Sequence, residues 1–261
     1  MTDGIAWEPL HRELDRWQAA GRAARLWLRD DDAVEPTPDL ETLLALTGES
    51  GVPLALAVIP GLTGEALALR LAEEAGVAVA VHGWSHTNYA GPQGKKQELG
   101  GERPAEVVLG ELGQGLRLLQ RLHPACFLPV LVPPWNRIDA ALIPALPGLG
   151  FAALSVYGRA KQDGPMPLLN THVDIIDWHG TRGGRSAGEL VAELVAELGD
   201  RFAGSDEPIG VLTHHLVHDA AAWDFLSALF ATTARHPAVC WSPASALLKA
   251  QAREPVQGTR A

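Results

Sequence analysis

The stretch "ARLWLRDDDA", residues 24–33, runs from a short apolar segment straight into three consecutive aspartates. A near-continuous apolar run of this length suits a strand buried on both faces of a parallel sheet. Three adjacent carboxylates at its end repel one another unless a cation or a proton resolves the conflict. One aspartate there would serve as the N-cap of a following helix, but three exceed that need. The segment therefore points to a buried parallel strand with a charged cluster at its carboxyl end.

The pattern repeats outward from this stretch. Further strand candidates lie at 53–59, 77–81, 127–132, 151–156, 173–177, 209–214 and 238–241, separated by Gly, Pro or Asp joins and by stretches of helical period. The clearest helix, "SAGELVAELVAELGDRF" (186–202), sets Leu190, Leu194 and Leu198 in one stripe with Val191 and Val195 beside it. Glu189, Glu193 and Glu197 fall on another face and read as solvated rather than metal-binding. Seven or eight βα units in one chain imply a closed or nearly closed parallel barrel, or else an open doubly wound sheet. Residues 1–261 read as a single domain without linker or repeat, and the Gly-rich segment 158–170 reads as a surface loop.

Composition sets outer limits. The 261 residues are 47% apolar and 20% charged, a globular profile. A formal net charge of −10 argues against a nucleic-acid partner, which needs a basic face to displace counterions. Cys126 and Cys240, the two cysteines, provide no disulfide framework and no thiolate zinc site; their apolar contexts suggest two buried thiols. The opening "MTDGIAWEPLHRELDRW" carries acids where a signal peptide carries basic residues, and no apolar run is long enough to span a membrane. A cytoplasmic address is the expectation.

In parallel α/β folds ligands gather at the carboxyl ends of strands, and here those positions carry reactive side chains. They hold Asp30, Asp31 and Asp32; His82 to His86; Pro133 to Arg137; Asp177, Trp178 and His179; then His214, His215 and His218. Six of ten histidines fall at this one rim, which scattered surface histidines would not do. His82 and His86 converge on one ion if the residues between them form a helical turn. One carboxylate and two neutral imidazoles, with positions open to water, is a recurring catalytic arrangement for Zn²⁺ or a related divalent metal. Asp177 is a candidate to orient a histidine in its charged form. Trp84, Trp135 and Trp178 offer apolar faces suited to the flat side of a sugar ring.

"LRDDDA", "HGWSHTN", "VPPWNR", "DW" and "LTHH", in this order on successive strand ends, resemble the five motifs of the polysaccharide deacetylases. These are carbohydrate esterase family 4, the NodB-homology domain, and the resemblance covers roughly residues 24–218. It implies a single distorted (β/α)7-type barrel with mostly parallel strands. It also implies metal-dependent removal of an acetyl group from an amino sugar. By the resemblance Asp31 is the base and Asp32 a metal ligand, with Asp30 in reserve because three aspartates allow the register to slip. His82 and His86 match the other metal ligands. His214, following Leu212, matches the general acid, with His215 as its neighbour and competitor. Trp84, Pro134, Trp135, Asn136, Arg137, Trp178, Leu212 and His215 are then the substrate-binding candidates.

Two positions depart from the family pattern. An arginine that braces the catalytic aspartate is replaced by Val132, leaving Arg29 or Arg137 to substitute, and the glycine after the aspartate pair is Ala33. With no export signal seen, the expected substrate is a small molecule or oligosaccharide rather than an exported polymer. Two alternatives stay open: a non-catalytic carbohydrate-binding protein on a decayed deacetylase barrel, and a glycoside hydrolase using Asp31 and Asp177. The second would need two carboxylates about 5–9.5 Å apart and would leave the histidines unexplained.

Overall fold

The computed structural model describes residues 3–160, 164 and 166–251. Helix α1 (Asp3–Ala19) leads to β1 (Ala24–Ala33), α2 (Pro38–Ser50), β2 (Leu54–Val58), α3 (Glu65–Leu71) and β3 (Val77–His82). Next come α4 (Ala105–Leu122), β4 (Phe127–Val132), the one-turn α5 (Leu146–Leu149), β5 (Ala153–Leu154) and β6 (Val173–Asp174). The chain then passes through α6 (Ala187–Phe202), β7 (Ile209–Thr213), α7 (Ala220–Thr233), β8 (Val239–Trp241) and α8 (Ala244–Gln251). The strands form one sheet in the order β5-β4-β3-β2-β1-β7-β6, with β8 beside the start of β1. Every strand pairing is parallel. The result is a curled, distorted α/β barrel.

The distortion has a local cause. Among the described residues no helix joins β5 to β6, the two ends of the sheet. Irregular bridges, Leu154 with Leu168 and Tyr157 with Thr171, draw those ends together. The strands expected over 151–156 and 173–177 are accordingly cut to two residues each, because a regular ladder forms only where β4 or β7 lies alongside. The expected surface loop 158–170 is also partly interior: Met166, Leu169 and Asn170 are buried. Residues 161–163 and 165 of that segment lie outside the described residues.

Successive strand residues point to opposite faces, and this alternation sorts the core. Leu26, Leu28, Leu54, Leu56, Val58, Val79, Val81 and Val211 face outward and pack beneath the helices. Trp27, Ala55, Ala57, Ala80, Val130 and Val132 fill the barrel. Small alanines on β2 and β3 leave room inside for the Trp27 indole, whose Nε1–H donates to the Asn170 carbonyl. On α6, Leu190, Leu194 and Leu198 are buried, each contributing about 1.5–3 kcal/mol of apolar burial. Of the three α6 glutamates, Glu193 pairs with Arg185 and Glu197 with Arg201, so that face carries ion pairs rather than a metal.

The cysteines depart from the reading as two buried thiols. Cys126 is half-buried and Cys240 is exposed, both free. Cys240 is the middle residue of the three-residue β8, so the alternation turns it away from the core. No helix among the described residues is long and apolar enough to cross a membrane.

Candidate active site

The same alternation runs into the aspartates at the end of β1. Trp27 faces the barrel interior, so Arg29 and Asp31 follow it inward, while Asp30 follows Leu26 and Leu28 outward. Arg29 and Asp31 are almost fully buried. The Arg29 Nη2 donates to Asp31 Oδ2 at 3.0 Å, and its Nε lies 2.9 Å from Oδ1 as an ion-pair contact. Arg29 also donates from Nη1 to Ser155 Oγ at 2.7 Å and from Nη2 to Asn136 Oδ1 at 2.7 Å. The brace absent at Val132 thus comes from β1 itself. Arg137 instead donates to the Lys96 carbonyl.

On the outer face Asp30 accepts the His215 backbone N–H at 2.8 Å and faces its Nδ1 at 2.5 Å. Both residues are buried. Burial lowers the His215 pKa, but the Asp30 carboxylate outweighs it and the net shift is upward. Strand alternation separates the histidines as it does the aspartates: His214 continues the inward set of Gly210 and Leu212, and His215 turns outward. Neither Asp30 nor His215 faces the interior cluster, which corrects the placing of His215 among the substrate-binding residues.

Asp32 breaks the alternation. The β1–β2 register shifts between Asp30 and Ala33, and Asp32 adopts φ 71°, a left-handed conformation uncommon outside glycine. This bulge turns its carboxylate toward the histidines at the end of β3. Asp32 Oδ1 lies 3.0 Å from His82 Nε2 and 3.2 Å from His86 Nε2. Burial pushes the Asp32 carboxyl up, but the His82 hydrogen bond and the charges of His82, His214 and His86 outweigh it and hold it well below the usual range.

His82 and His86 do not meet through a helical turn, which corrects that expectation. Residues 83–86 form no helix, and Gly83 (φ 56°) and His86 (φ 57°) are both left-handed. A Cβ on Gly83 would sit 2.5 Å from Glu98 Oε2 and 2.6 Å from Pro134, so only glycine fits. The Val132 carbonyl accepts from the Gly83 N–H at 3.1 Å and faces His82 Nδ1 at 2.9 Å. A carbonyl can only accept, so Nδ1 carries the proton and Nε2 is left free as a ligand atom. One carboxylate oxygen and two imidazole nitrogens, all within 4.8 Å of one another, suit a divalent ion that takes mixed N and O ligands.

Across from Asp32, His214 Nε2 lies 3.9 Å from Asp31 Oδ2. Its ring meets the Trp178 indole edge-on at 4.7 Å. Asp177 makes no hydrogen bond or ion pair with His214. It lies on an exposed turn, where its carboxylate accepts the backbone N–H groups of His179, Gly180 and Thr181. Asp174, three residues earlier at the end of β6, instead reaches His214 through Trp178. It accepts the Ile176 N–H at 3.0 Å and the Trp178 Nε1–H at 2.8 Å. Burial raises the Asp174 pKa, and the nearby His214 charge offsets this only in part.

The other candidate positions ring this cluster. Trp135 stacks tilted on His86 with ring centres 4.3 Å apart. Trp84 and Trp135 are half-buried and Trp178 is exposed, while Pro134 and Leu212 are buried. A cleft of about 770 Å³ opens at the opposite end of the strands, beside Val77, Phe127 and Leu248, away from this cluster. The sequence reading missed Glu98 and Asp174. For Asp174 the signal was available: it precedes Asp177 at the same strand end.

No protein-family model and no curated protein matches the chain. Among solved structures, the fold is that of the polysaccharide deacetylases and family 4 carbohydrate esterases. One similar structure is a protein from Mycobacterium smegmatis assigned as a polysaccharide deacetylase. It has a TM-score of 0.65 and 18% identity, over 92% of this chain and 95% of that one. A family 4 carbohydrate esterase from Streptomyces lividans, in complex with acetate, matches at TM-score 0.55 and 14% identity over 83% and 91% of the two chains. A family 4 acetyl xylan esterase from Clostridium thermocellum, with a cobalt ion, matches at 0.52 and 13% over 87% and 92%.

Proposed function

We propose that this chain is a metal-dependent amide hydrolase that removes an acetyl or related acyl group from the amide nitrogen of an amino sugar or small metabolite. The observation that carries the reading is the convergence of Asp32, His82 and His86 beside the braced Asp31, with His214 facing Asp31. Zn²⁺ is the ion proposed; when bound, it supplies an acidified water and a sink for charge on the carbonyl oxygen. Asp31, held at both oxygens by Arg29, is placed as the base for that water's proton. His214 is placed as the acid: a proton on Nε2 passes to the departing nitrogen as the C–N bond breaks, giving a free amine and a carboxylate. Asp174 holds the Trp178 indole that meets the His214 ring edge-on. Trp84, Trp135 and Trp178 offer walls for the sugar ring.

The arginine missing at position 132 is what motivates a non-catalytic reading, and Arg29 fills that role. A two-carboxylate glycosidase would need Asp177, whose oxygens are occupied by its own turn. The test is metal analysis of the purified protein, joined to an assay of acetate release from N-acetylated sugars before and after chelation. Expected are a bound divalent ion, activity lost on chelation and restored by Zn²⁺, and both lost in His82→Ala. Turnover indifferent to chelator and to that substitution defeats the proposal.

A further inference from the structure

The geometry points to Glu98 as a positioning residue that fixes His86 for metal binding, an inference that rests on the metal reading of Asp32, His82 and His86. Glu98 lies in the loop between β3 and α4, its side chain fully buried and, among the described residues, in no ion pair with a lysine or arginine. Its carboxylate accepts three consecutive backbone N–H groups instead. Oε1 takes those of Trp84 at 3.1 Å and Ser85 at 2.8 Å, and Oε2 takes that of His86 at 3.0 Å. The Ser85 hydroxyl adds a contact to Oε1 at 3.3 Å. Successive N–H groups bent around left-handed residues form a concave anion site, and here the chain supplies its own anion.

The energetics explain why such a device is needed. A left-handed φ is unfavourable at a residue with a Cβ, and His86 carries φ 57°. Three hydrogen bonds to a carboxylate, each about twice the strength of a neutral one, offset that cost. Without them His86 would relax to negative φ and its Cα–Cβ bond would swing the imidazole off Asp32. Glu98 is itself anchored from the neighbouring strand end. Leu99 bridges to Ile138, its carbonyl accepts the Asp139 N–H at 2.7 Å, and Arg137 Nη1 donates to the Lys96 carbonyl at 2.7 Å. The His86 imidazole is therefore held by a carboxylate twelve residues further along the chain, tied to the segment that carries Trp135 and Asn136.

The experiment measures Co²⁺ affinity and the visible spectrum of the Co²⁺ protein for wild type, Glu98→Gln, His86→Ala and the double variant. Removing an outer-shell partner costs roughly 10–100-fold in metal affinity, and that loss is expected for Glu98→Gln, with a changed ligand-field spectrum. Because Glu98 acts through His86, the double variant should bind no more weakly than His86→Ala alone. Wild-type affinity and spectrum in Glu98→Gln, or losses that add in the double variant, overturn the inference. If Glu98→Gln does not fold, Glu98→Asp carries the test: it keeps the charge but shortens the reach, and wild-type affinity there is equally fatal. A wild-type protein that takes up no Co²⁺ defeats the metal reading itself and Glu98's role with it, whereas a metal-binding wild type with an unaffected Glu98→Gln defeats Glu98 alone.

Discussion

Replacing Arg29 with methionine tests the brace on the proposed catalytic base. The side chains of Arg29 and Asp31 are 1% and 2% exposed, so neither charge reaches water. Removing one member of such a pair strands the other, at a cost of about 3–5 kcal/mol. For a chain of this size each kcal/mol moves the melting temperature by about 2 °C, so Arg29→Met should melt about 6–10 °C below wild type. The sharper measurement is the double variant Arg29→Met/Asp31→Leu, which removes both charges. Replacing a buried pair by apolar groups of similar volume is often neutral or stabilising. Ser155 keeps a partner in the Leu169 carbonyl, so the double variant should recover most of the loss while staying inactive. Scanning calorimetry of the metal-free proteins decides it. A single variant that melts with wild type, or a double variant that melts below the single, would refute a buried, mutually dependent pair.

His214→Ala should lower acyl release by 10²-fold or more with substrate affinity little changed, since general acid–base assistance is worth about 10²–10⁴ in rate. Asp177→Ala should loosen its own turn and leave the rate near wild type; steady-state kinetics on both variants separate the two residues. Gly83→Ala should destabilise the fold by about 1–3 kcal/mol and weaken metal binding, because the new methyl meets Glu98 and Pro134 in a backbone that favours glycine; calorimetry and metal titration read the two effects. Burial holds the His218 imidazole down to about 4, whereas the unfolded chain takes up that proton near 6.5. Its stabilising contribution is therefore present above pH 6.5 and lost as pH falls toward about 4, by at most ~3 kcal/mol. His218→Gln should flatten the melting temperature over that window, and an unchanged slope would contradict the assignment.

The barrel was legible because β1 to β4 and β7 are written as unbroken apolar runs, and burial on both faces of a parallel sheet produces that pattern. β5 and β6 were overdrawn for the same reason. "FAALSV" and "VDIID" are as apolar as true strands, yet residues beyond 154 and 174 lack a continuous neighbour and leave the ladder. Alternation alone would have assigned Arg29 and Asp31 to one face and Asp30 to the other, and His214 inward against His215. Asp32 and His86 lay beyond that rule, since each depends on a left-handed backbone with no glycine to announce it. Glu98, within "KKQELGG", reads as one more solvated loop charge until the loop returns to the His82–His86 peptide.

The three aspartates coexist because each faces a different partner. Asp30 has His215 on the outer face and Asp31 has Arg29 inside; both carboxylates are sealed from water, and their partners belong permanently to the chain. Asp32 differs in both respects. Its side chain is 29% exposed, and its partners are two imidazoles that share one oxygen. Burial and the charge of His82 lower the His86 pKa, so the two histidines cannot easily be charged together. His82 shifts the other way: burial lowers its pKa, but the hydrogen bond and charge of Asp32 outweigh it. Of the three carboxylates, Asp32 alone is partly open to solvent and shares one oxygen with two imidazoles, the donor set that the proposed divalent ion would draw on.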